Sequence, residues 1–256
     1  MKLAAQLFTL RDYLKTTKDI EATLKKVKGI GYNAVQVSGL GPIDPKVLKE
    51  MTDSEGLDIC ATHISYADLT DKLDEVIEKH HLWGCKYVGL GAMPLEQRSS
   101  KQGYLDFAKQ ASEIGRQLKS AGLKFIYHNH NFEFAKYNGI TGMDILFQET
   151  DPDVVDFELD VYWVQAGGAD PVDWIRKVKD RMKVVHLKDM AVTSEREQRY
   201  AEVGEGNMNF ERILEACKEI GVEWGAVEQD QCYGKNAFDC LELSFHNLRQ
   251  YGIEEA

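Results

Sequence analysis

The sequence predicts an α/β fold, a single (β/α)8 TIM barrel that spans residues 1–256. The length is the first indication, because a complete barrel of eight strand and helix units takes about 250 residues. The second is that eight strand-like runs alternate with helical segments along the whole chain, which favours parallel strands. The third is that the sequence lacks the glycine-rich phosphate-binding motifs of open nucleotide-binding sheets. No low-complexity segment or proline-rich linker marks a second domain.

The predicted strands are short apolar runs, and the segments between them have helical periodicity. In the first segment, Ile20, Leu24 and Val27 recur at the spacing of one helix face. Five glycines stand shortly before the next run, where helices commonly end with a positive φ: Gly31, Gly56, Gly84, Gly122 and Gly221. The eight strands are predicted near Leu3–Phe8, Ala34–Val37, Leu57–His63, Tyr87–Leu90, Lys124–His130, Val154–Asp160, Val184–Leu187 and Trp224–Glu228.

Composition and charge exclude several classes of partner. The chain carries 31 Lys and Arg against 42 Asp and Glu, a formal net charge of −11, so its field repels nucleic acid and anionic membranes. No apolar stretch approaches the roughly 20 residues of a membrane-spanning helix. The five cysteines form no Cys-x-x-Cys pair, which is typical of free thiols in a reducing compartment. We therefore predict a cytoplasmic protein whose partner is a small molecule; the sequence gives no indication of an oligomeric state.

Ligand-type side chains lie near or at the ends of four predicted strands. Asp160 ends the apolar run that begins at Phe157, and an ionised carboxylate there is costly unless a cation receives it. His128, His186 and Glu228 lie near or at the ends of three other runs. Because the catalytic groups of such barrels come from the carboxyl ends of the strands, we expect these side chains to converge in one pocket. The sequence therefore predicts a bound divalent cation.

The donor set indicates the kind of cation. Nitrogen and oxygen donors without a thiolate suit Mn²⁺, Mg²⁺, Co²⁺ or Zn²⁺ in an open catalytic site and argue against a closed structural zinc site. The alternative is a buried salt-bridge network in which Lys188 or Arg181 neutralises the carboxylates. His63 and His130 also end predicted strands. Three histidines fall in predicted helices, where a solvated or partly packed position is expected: His80, His81 and His246.

An open metal site indicates a mechanism. A metal that polarises a carbonyl acidifies the adjacent C–H bond, and a nearby carboxylate can remove that proton to give a metal-stabilised enediolate. We predict Glu228 as this base. Lys188 is predicted either to stabilise the developing oxyanion or orient a hydroxyl, or to form an ion pair with Asp189 or Glu202. Tyr162 and Trp163 are candidates for an apolar wall against a sugar face, or for core packing, and Glu158 is expected to support the ligands.

Five motifs occur in order over essentially the whole chain. They are Tyr127-His128-Asn129-His130, Leu159-Asp160-Val161-Tyr162-Trp163, His186-Leu187-Lys188-Asp189-Met190, Glu202-Val203-Gly204-Glu205-Gly206 and Val227-Glu228-Gln229-Asp230. With these motifs the chain resembles the xylose isomerase-like TIM-barrel superfamily of sugar isomerases and epimerases, which also contains abasic-site endonucleases. The motif set is specific for the superfamily and does not identify a substrate.

The resemblance implies one divalent metal, with Mn²⁺ favoured, that binds vicinal oxygens of a keto-sugar. Carried over by position, the ligands from the sixth to eighth strands are Asp160, His186 and Glu228. Related ketose epimerases have a glutamate at the fifth strand, where this chain offers His128, with His130 and Glu133 as other candidates. In those epimerases two glutamates act as paired bases, so a histidine at this position changes the proton chemistry.

We therefore predict an enzyme of carbohydrate metabolism, an isomerase or epimerase that acts on a small ketose or ketose phosphate. The predicted catalytic residues are Glu228, Lys188 and His130, and the predicted substrate-binding residues are His63, Tyr162, Trp163 and Lys188. A close alternative is a lyase that dehydrates a keto-inositol or cleaves a 3-keto-glycoside. An abasic-site endonuclease is disfavoured by the negative charge, and the alternative from a different class is a non-catalytic sugar-binding barrel.

Overall fold

A computed structural model of the protein describes residues 1–253 and shows a closed barrel of eight parallel strands. The strands are β1 (Lys2–Gln6), β2 (Ala34–Val37), β3 (Asp58–Ile64), β4 (Tyr87–Leu90), β5 (Lys124–His128), β6 (Val155–Asp160), β7 (Val184–Leu187) and β8 (Trp224–Val227). Each strand pairs with its neighbours in sequence order, and β1 pairs with β8 to close the barrel. The predicted (β/α)8 barrel and its eight strands are confirmed.

Helices on the outside connect the strands. They are α1 (Thr17–Ile30), α2 (Pro45–Glu55), α3 (Tyr66–Asp71), α4 (Leu73–Trp83), α5 (Lys101–Ser120), α6 (Gly142–Glu149), α7 (Val161–Ala166), α8 (Pro171–Lys177), α9 (Phe210–Glu219) and α10 (Ala237–Gln250). Thr16 and Asp19 form a reciprocal capping box at the start of α1. The five glycines predicted at helix ends all have positive φ. None of the described helices has the length and hydropathy that a membrane-spanning segment requires.

Two predicted strands end two residues earlier than expected. β1 stops at Gln6, and the next residues, Leu7–Tyr13, form a 3-10 helix that the Gln6 side chain caps by accepting a hydrogen bond from the Phe8 N–H at 2.5 Å. β5 stops at His128, because the Asn129 side chain instead accepts a hydrogen bond from the Asp160 N–H of the next strand at 3.0 Å. The prediction that a strand ends at His130 is therefore wrong.

The helical histidines are placed as predicted, but one of them is fully buried. His80 in α4 has no exposed surface, so the expected solvated or partly packed position is wrong for this residue. Its Nδ1 is 2.7 Å from the carbonyl oxygen of Val76, which can only accept, so Nδ1 carries the proton. The Thr62 hydroxyl then donates to Nε2 at 2.8 Å. This buried pair keeps the His80 ring hydrogen-bonded inside the α4 packing layer.

The barrel interior is apolar at one end and polar at the other. Alternate strand residues face inward, and the inward positions near the strand starts carry mainly small or apolar side chains: Ala4, Ala34, Cys60, Ala61, Tyr87, Ile126 and Val184. Two residues further along β2, β5 and β7 stand Gln36, His128 and His186. The register of the barrel thus brings its polar side chains together at the carboxyl ends of the strands.

Candidate metal centre

Four ligand-type side chains from four consecutive strands meet at the carboxyl end of the barrel. They are His128, Asp160, His186 and Glu228, all buried, with ligand atoms within 4.8 Å of one another. Asp160 and His186 lie opposite each other in the β6 and β7 register. Asp160 Oδ2 is 3.3 Å from His128 Nε2 and 3.7 Å from His186 Nδ1, and Glu228 Oε2 is 3.1 Å from the same Nδ1. These four residues are the ones that the sequence predicts as metal ligands, and they are called the ligand group below.

The orientation of His128 fits a cation between the rings and the carboxylates. His128 Nδ1 lies 2.9 Å from the carbonyl oxygen of Gly91, and a carbonyl oxygen can only accept a hydrogen bond. The proton of a neutral ring is therefore on Nδ1, and the Nε2 lone pair points toward Asp160. Two lone pairs facing each other are unfavourable unless a positive charge lies between them. Metal-binding histidines are commonly held in this way, with the other ring nitrogen donating to a carbonyl.

The charges around Lys188 also fit a divalent cation. Its buried ammonium is 3.0 Å from Asp160, 2.8 Å from Glu228 and 2.6 Å from Asp230. One positive charge among three carboxylates leaves an excess of two negative charges. Burial alone would raise the pKa of Asp160, but Lys188 outweighs burial and holds this pKa well below its usual range. Burial and the charge of Glu228 raise the pKa of Asp230, which indicates that Lys188 does not fully neutralise the group.

Arg181, the other cation in the predicted salt-bridge alternative, is not in this group. Its guanidinium donates to the carbonyl oxygens of Val155 and Phe147 and to the Thr150 hydroxyl. Val155 is the first residue of β6, so Arg181 lies at the opposite end of the strand from Asp160. The alternative of neutralisation by Arg181 is therefore wrong, whereas Lys188 does contact the carboxylates. Its predicted ion pair with Asp189 or Glu202 is wrong, because Asp189 accepts hydrogen bonds from backbone N–H groups and Glu202 pairs with Lys235.

The profile of the xylose isomerase-like TIM barrel family matches residues 24–231. The chain belongs to this family. The inosose dehydratase of Lacticaseibacillus casei is 27% identical to it, with 82% of each chain covered. A sugar phosphate isomerase/epimerase from Parabacteroides distasonis is 26% identical, and its crystal structure superposes with a TM-score of 0.82 over 98% of both chains. A structure of an IOLI protein with a bound zinc atom is 15% identical and shares the fold, with a TM-score of 0.72 over 98% of both chains.

In this member of the family, the other fifth-strand candidates lie outside the ligand group. Glu133 is fully buried, and its carboxylate accepts hydrogen bonds from the Tyr127 hydroxyl at 2.6 Å and the backbone N–H of His130 at 2.9 Å. Burial raises the pKa of Glu133 to about 7. The His130 ring stacks on Phe132 and lies 4.9 Å from the His128 ring, centroid to centroid. Glu133 therefore holds the backbone of the loop that carries His130.

A second set of polar side chains supports the ligand group from inside the barrel. His63 Nε2 is 2.7 Å from Glu158 Oε2, and the His63 ring stacks on His186 at 5.3 Å. Gln36 Nε2 donates to Glu158 Oε1 at 2.9 Å, and Gln36 Oε1 is 2.8 Å from His186 Nε2. The sequence analysis did not select Gln36. The sequence feature that could have identified Gln36 is a polar residue within the apolar run of β2, two positions after the inward-facing Ala34.

A cavity of about 350 Å³ opens beside the ligand group. Its volume is near the lower end of the roughly 300–1,000 Å³ of small-molecule sites. The residues that line it are Gln6, Phe8, Ser38, His63, Ile64, Ser65, Tyr66, Leu90, Gly91, Ala92, His128, His130, Lys188, Glu228 and Asp230. The half that follows β1 to β4 contributes no Asp, Glu, Lys or Arg, whereas the half that follows β5 to β8 contributes all the charged side chains.

The two predicted aromatic residues lie at the edge of the site and do not line this cavity. Tyr162 is buried in α7 and stacks on Tyr200 with ring centroids 4.6 Å apart. Trp163 lies 5.3 Å from the His130 ring, and the Lys188 ammonium is 5.6 Å from its centroid. The backbone N–H of Trp163 donates to Asp160 Oδ1 at 3.1 Å, so Asp160 also caps α7. These aromatic rings cover the ligand group from the α7 side.

Proposed function

We propose that this protein is a divalent-metal-dependent lyase that removes water from a small cyclic keto-polyol. The observation that carries the proposal is the engagement of both ring nitrogens of His128. Its Nδ1–H donates to Gly91 and its Nε2 faces Asp160, so His128 has no nitrogen left to act as a base. An epimerase of the paired-glutamate type requires a second base on the opposite face of the reacting carbon. A dehydratase requires only one, and the similarity to inosose dehydratases supports this choice.

Glu228 is the group that can perform both proton transfers. A divalent ion held by His128, Asp160, His186 and Glu228 would polarise the substrate carbonyl and acidify the adjacent C–H bond. Glu228 takes the proton as that C–H bond breaks. The C–O bond of the neighbouring hydroxyl then breaks as the C=C bond forms, and Glu228 returns the proton so that the hydroxyl leaves as water. Lys188, 2.8 Å from Glu228, can stabilise negative charge on the substrate oxygen.

The cavity favours an uncharged substrate. Lys188 is the one Lys or Arg among the described lining residues, and it already contacts three carboxylates. A phosphate group would therefore lack the basic side chains that phosphate sites normally provide. His63, Ser38 and Ser65 instead offer hydrogen bonds to hydroxyl groups. We propose a keto-inositol or a similar neutral keto-polyol as the substrate.

An epimerase is the second candidate, and one observation favours it. His130 lines the cavity, and its buried Nδ1 has no hydrogen-bond partner among the described residues. Burial and the neighbouring His128 lower the pKa of His130 to about 2, so the ring is neutral. A neutral imidazole that lines the cavity could exchange a proton with the reacting carbon. The similarity to the sugar phosphate isomerase/epimerase is consistent with this candidate.

Product identity tests the proposal. We expect the protein loaded with Mn²⁺ to convert inosose to an unsaturated ketone, with loss of water, and to stop when a chelator is added. The measurement is ultraviolet absorbance of the product together with deuterium exchange of the substrate in D₂O. Formation of an epimer from a small ketose, with inosose left intact, would favour the second candidate. Binding of inosose, a 3-keto-glycoside and a ketose without exchange by the metal-loaded protein would contradict both.

A further inference from the structure

Gln36 is a buried amide that connects two parts of the site. It lies in β2 with no exposed surface, 122 residues before Glu158 and 150 residues before His186. A buried amide is costly unless both its donor and its acceptor are paired. Gln36 meets this requirement, because its nitrogen lies 2.9 Å from Glu158 Oε1 and its oxygen 2.8 Å from His186 Nε2.

The partners of Gln36 determine which ring nitrogen of His186 carries the proton. A carboxylate can only accept, so the amide nitrogen must face Glu158 and the amide oxygen must face His186. An amide oxygen also only accepts, so His186 Nε2 must be the protonated nitrogen. The remaining nitrogen, Nδ1, faces Glu228 Oε2 at 3.1 Å and Asp160 Oδ2 at 3.7 Å, and it can bind an ion through its lone pair once the ion has displaced its proton.

His63 fixes the other end of this chain of hydrogen bonds. Its Nε2 lies 2.7 Å from Glu158 Oε2, so both oxygens of the carboxylate have a donor, His63 on one and Gln36 on the other. All three side chains belong to barrel strands, β3, β6 and β2, whose pairing fixes their relative positions. The orientation of the amide is therefore set by the barrel itself before any ion binds.

We propose that Gln36 is a positioning residue of the cation site, which fixes His186 as the Nε2–H tautomer so that Nδ1 is available as a ligand. This inference rests on the cation site of the proposed function. Hydrogen-bonded partners of metal-binding histidines fix the tautomer and ring orientation, and their loss typically lowers metal affinity about 10–100-fold.

The same geometry argues against a second ion between His63, Glu158 and His186, whose ligand atoms also lie within 4.8 Å of one another. The Nε2 atoms of both histidines already take part in hydrogen bonds, with Glu158 at 2.7 Å and Gln36 at 2.8 Å. An ion there would displace protons that hold the network together. We therefore expect one divalent ion per chain.

The test is the variant Gln36→Met, which has a similar length but neither donor nor acceptor. We expect its affinity for Mn²⁺, measured by electron paramagnetic resonance of the free ion, to fall about 10–100-fold. In the metal-free protein, burial would lower the pKa of His186, but the charge of Glu158 and hydrogen bonds to Asp160 and Glu228 outweigh burial, raise this pKa and keep a proton on both ring nitrogens. The second readout is therefore the ¹H shift of the His186 Nε2–H, which we expect to move upfield in the variant because its hydrogen bond to the Gln36 oxygen is lost. The matched control is Thr62→Val, which removes a buried hydrogen bond to His80 in the same barrel and should leave both readouts unchanged.

The outcomes separate this inference from the cation site. Failure of the wild-type protein to bind Mn²⁺, with the expected change of the His186 Nε2–H signal in Gln36→Met, would contradict the site and support the orienting role. Normal Mn²⁺ affinity and an unchanged His186 Nε2–H signal in the variant would contradict the inference alone, as would two ions per wild-type chain. If Gln36→Met does not fold, Glu158→Gln tests the same set of hydrogen bonds. Without the Glu158 carboxylate, the Gln36 amide can rotate and exchange its oxygen and nitrogen.

Discussion

Glu228→Gln is expected to lower the rate of substrate C–H exchange in D₂O about 10²–10⁴-fold, the usual contribution of a general acid–base group. The reason is that the variant keeps the size of the side chain and an oxygen that can face Lys188, but loses the carboxylate that accepts the proton. Burial would raise the pKa of Glu228, yet Lys188 and His186 outweigh burial and hold this pKa below its usual range. The wild-type group is therefore ionised and ready to act as a base at neutral pH.

The Mn²⁺ content of Glu228→Gln has to be measured in the same preparation, because Glu228 is also a proposed ligand. The matched control is Glu223→Gln, which lies just before β8, at the other end from Glu228, and accepts a hydrogen bond from the Tyr87 hydroxyl at 2.7 Å. We expect this control to exchange at the wild-type rate. Full Mn²⁺ occupancy with unchanged exchange in Glu228→Gln would show that another group removes the proton.

The sequence predicts the fold and the main ligand group because both depend on simple periodicities. Parallel strands of a barrel all end at the same face. The sequence alone therefore predicts that a polar residue at the end of an apolar run lies at that face. Asp160, His186 and Glu228 follow this rule, and the structure brings them together with His128. The rule requires only the position of each strand along the chain.

The sequence does not predict features that depend on contacts between distant side chains. Gln36 has partners 122 and 150 residues away, and nothing in the run Ala34–Val37 indicates what its amide faces. The end of β1 depends on the Gln6 side chain, which caps a 3-10 helix although the apolar pattern continues to Phe8. His80 appears as one polar residue of a helix, whereas Thr62 from the neighbouring strand makes its burial possible.

Lys188→Met is expected to lower the free energy of unfolding of the metal-free protein by about 3–5 kcal/mol, the usual cost of removing one partner of a buried ion pair. The reason is that Asp160, Glu228 and Asp230 would remain close together without the ammonium that now lies 2.6–3.0 Å from each of them. Urea unfolding in the presence of a chelator measures this change. The matched control is Lys15→Met, because Lys15 pairs with Asp12 at 3.4 Å and the two side chains are 63% and 81% exposed. An exposed pair contributes about 0–1 kcal/mol, so the control should unfold almost like the wild type.

Saturating Mn²⁺ should then recover more stability in Lys188→Met than in the wild-type protein, because the ion supplies positive charge to carboxylates that have lost their ammonium. A ligand that binds the folded state stabilises it according to its concentration relative to its Kd, so the recovery should grow with Mn²⁺ concentration. Equal stability of Lys188→Met and wild type in the chelator would mean that the three carboxylates are not ionised together. Equal recovery by Mn²⁺ in both proteins would place the ion away from Lys188 and its carboxylates.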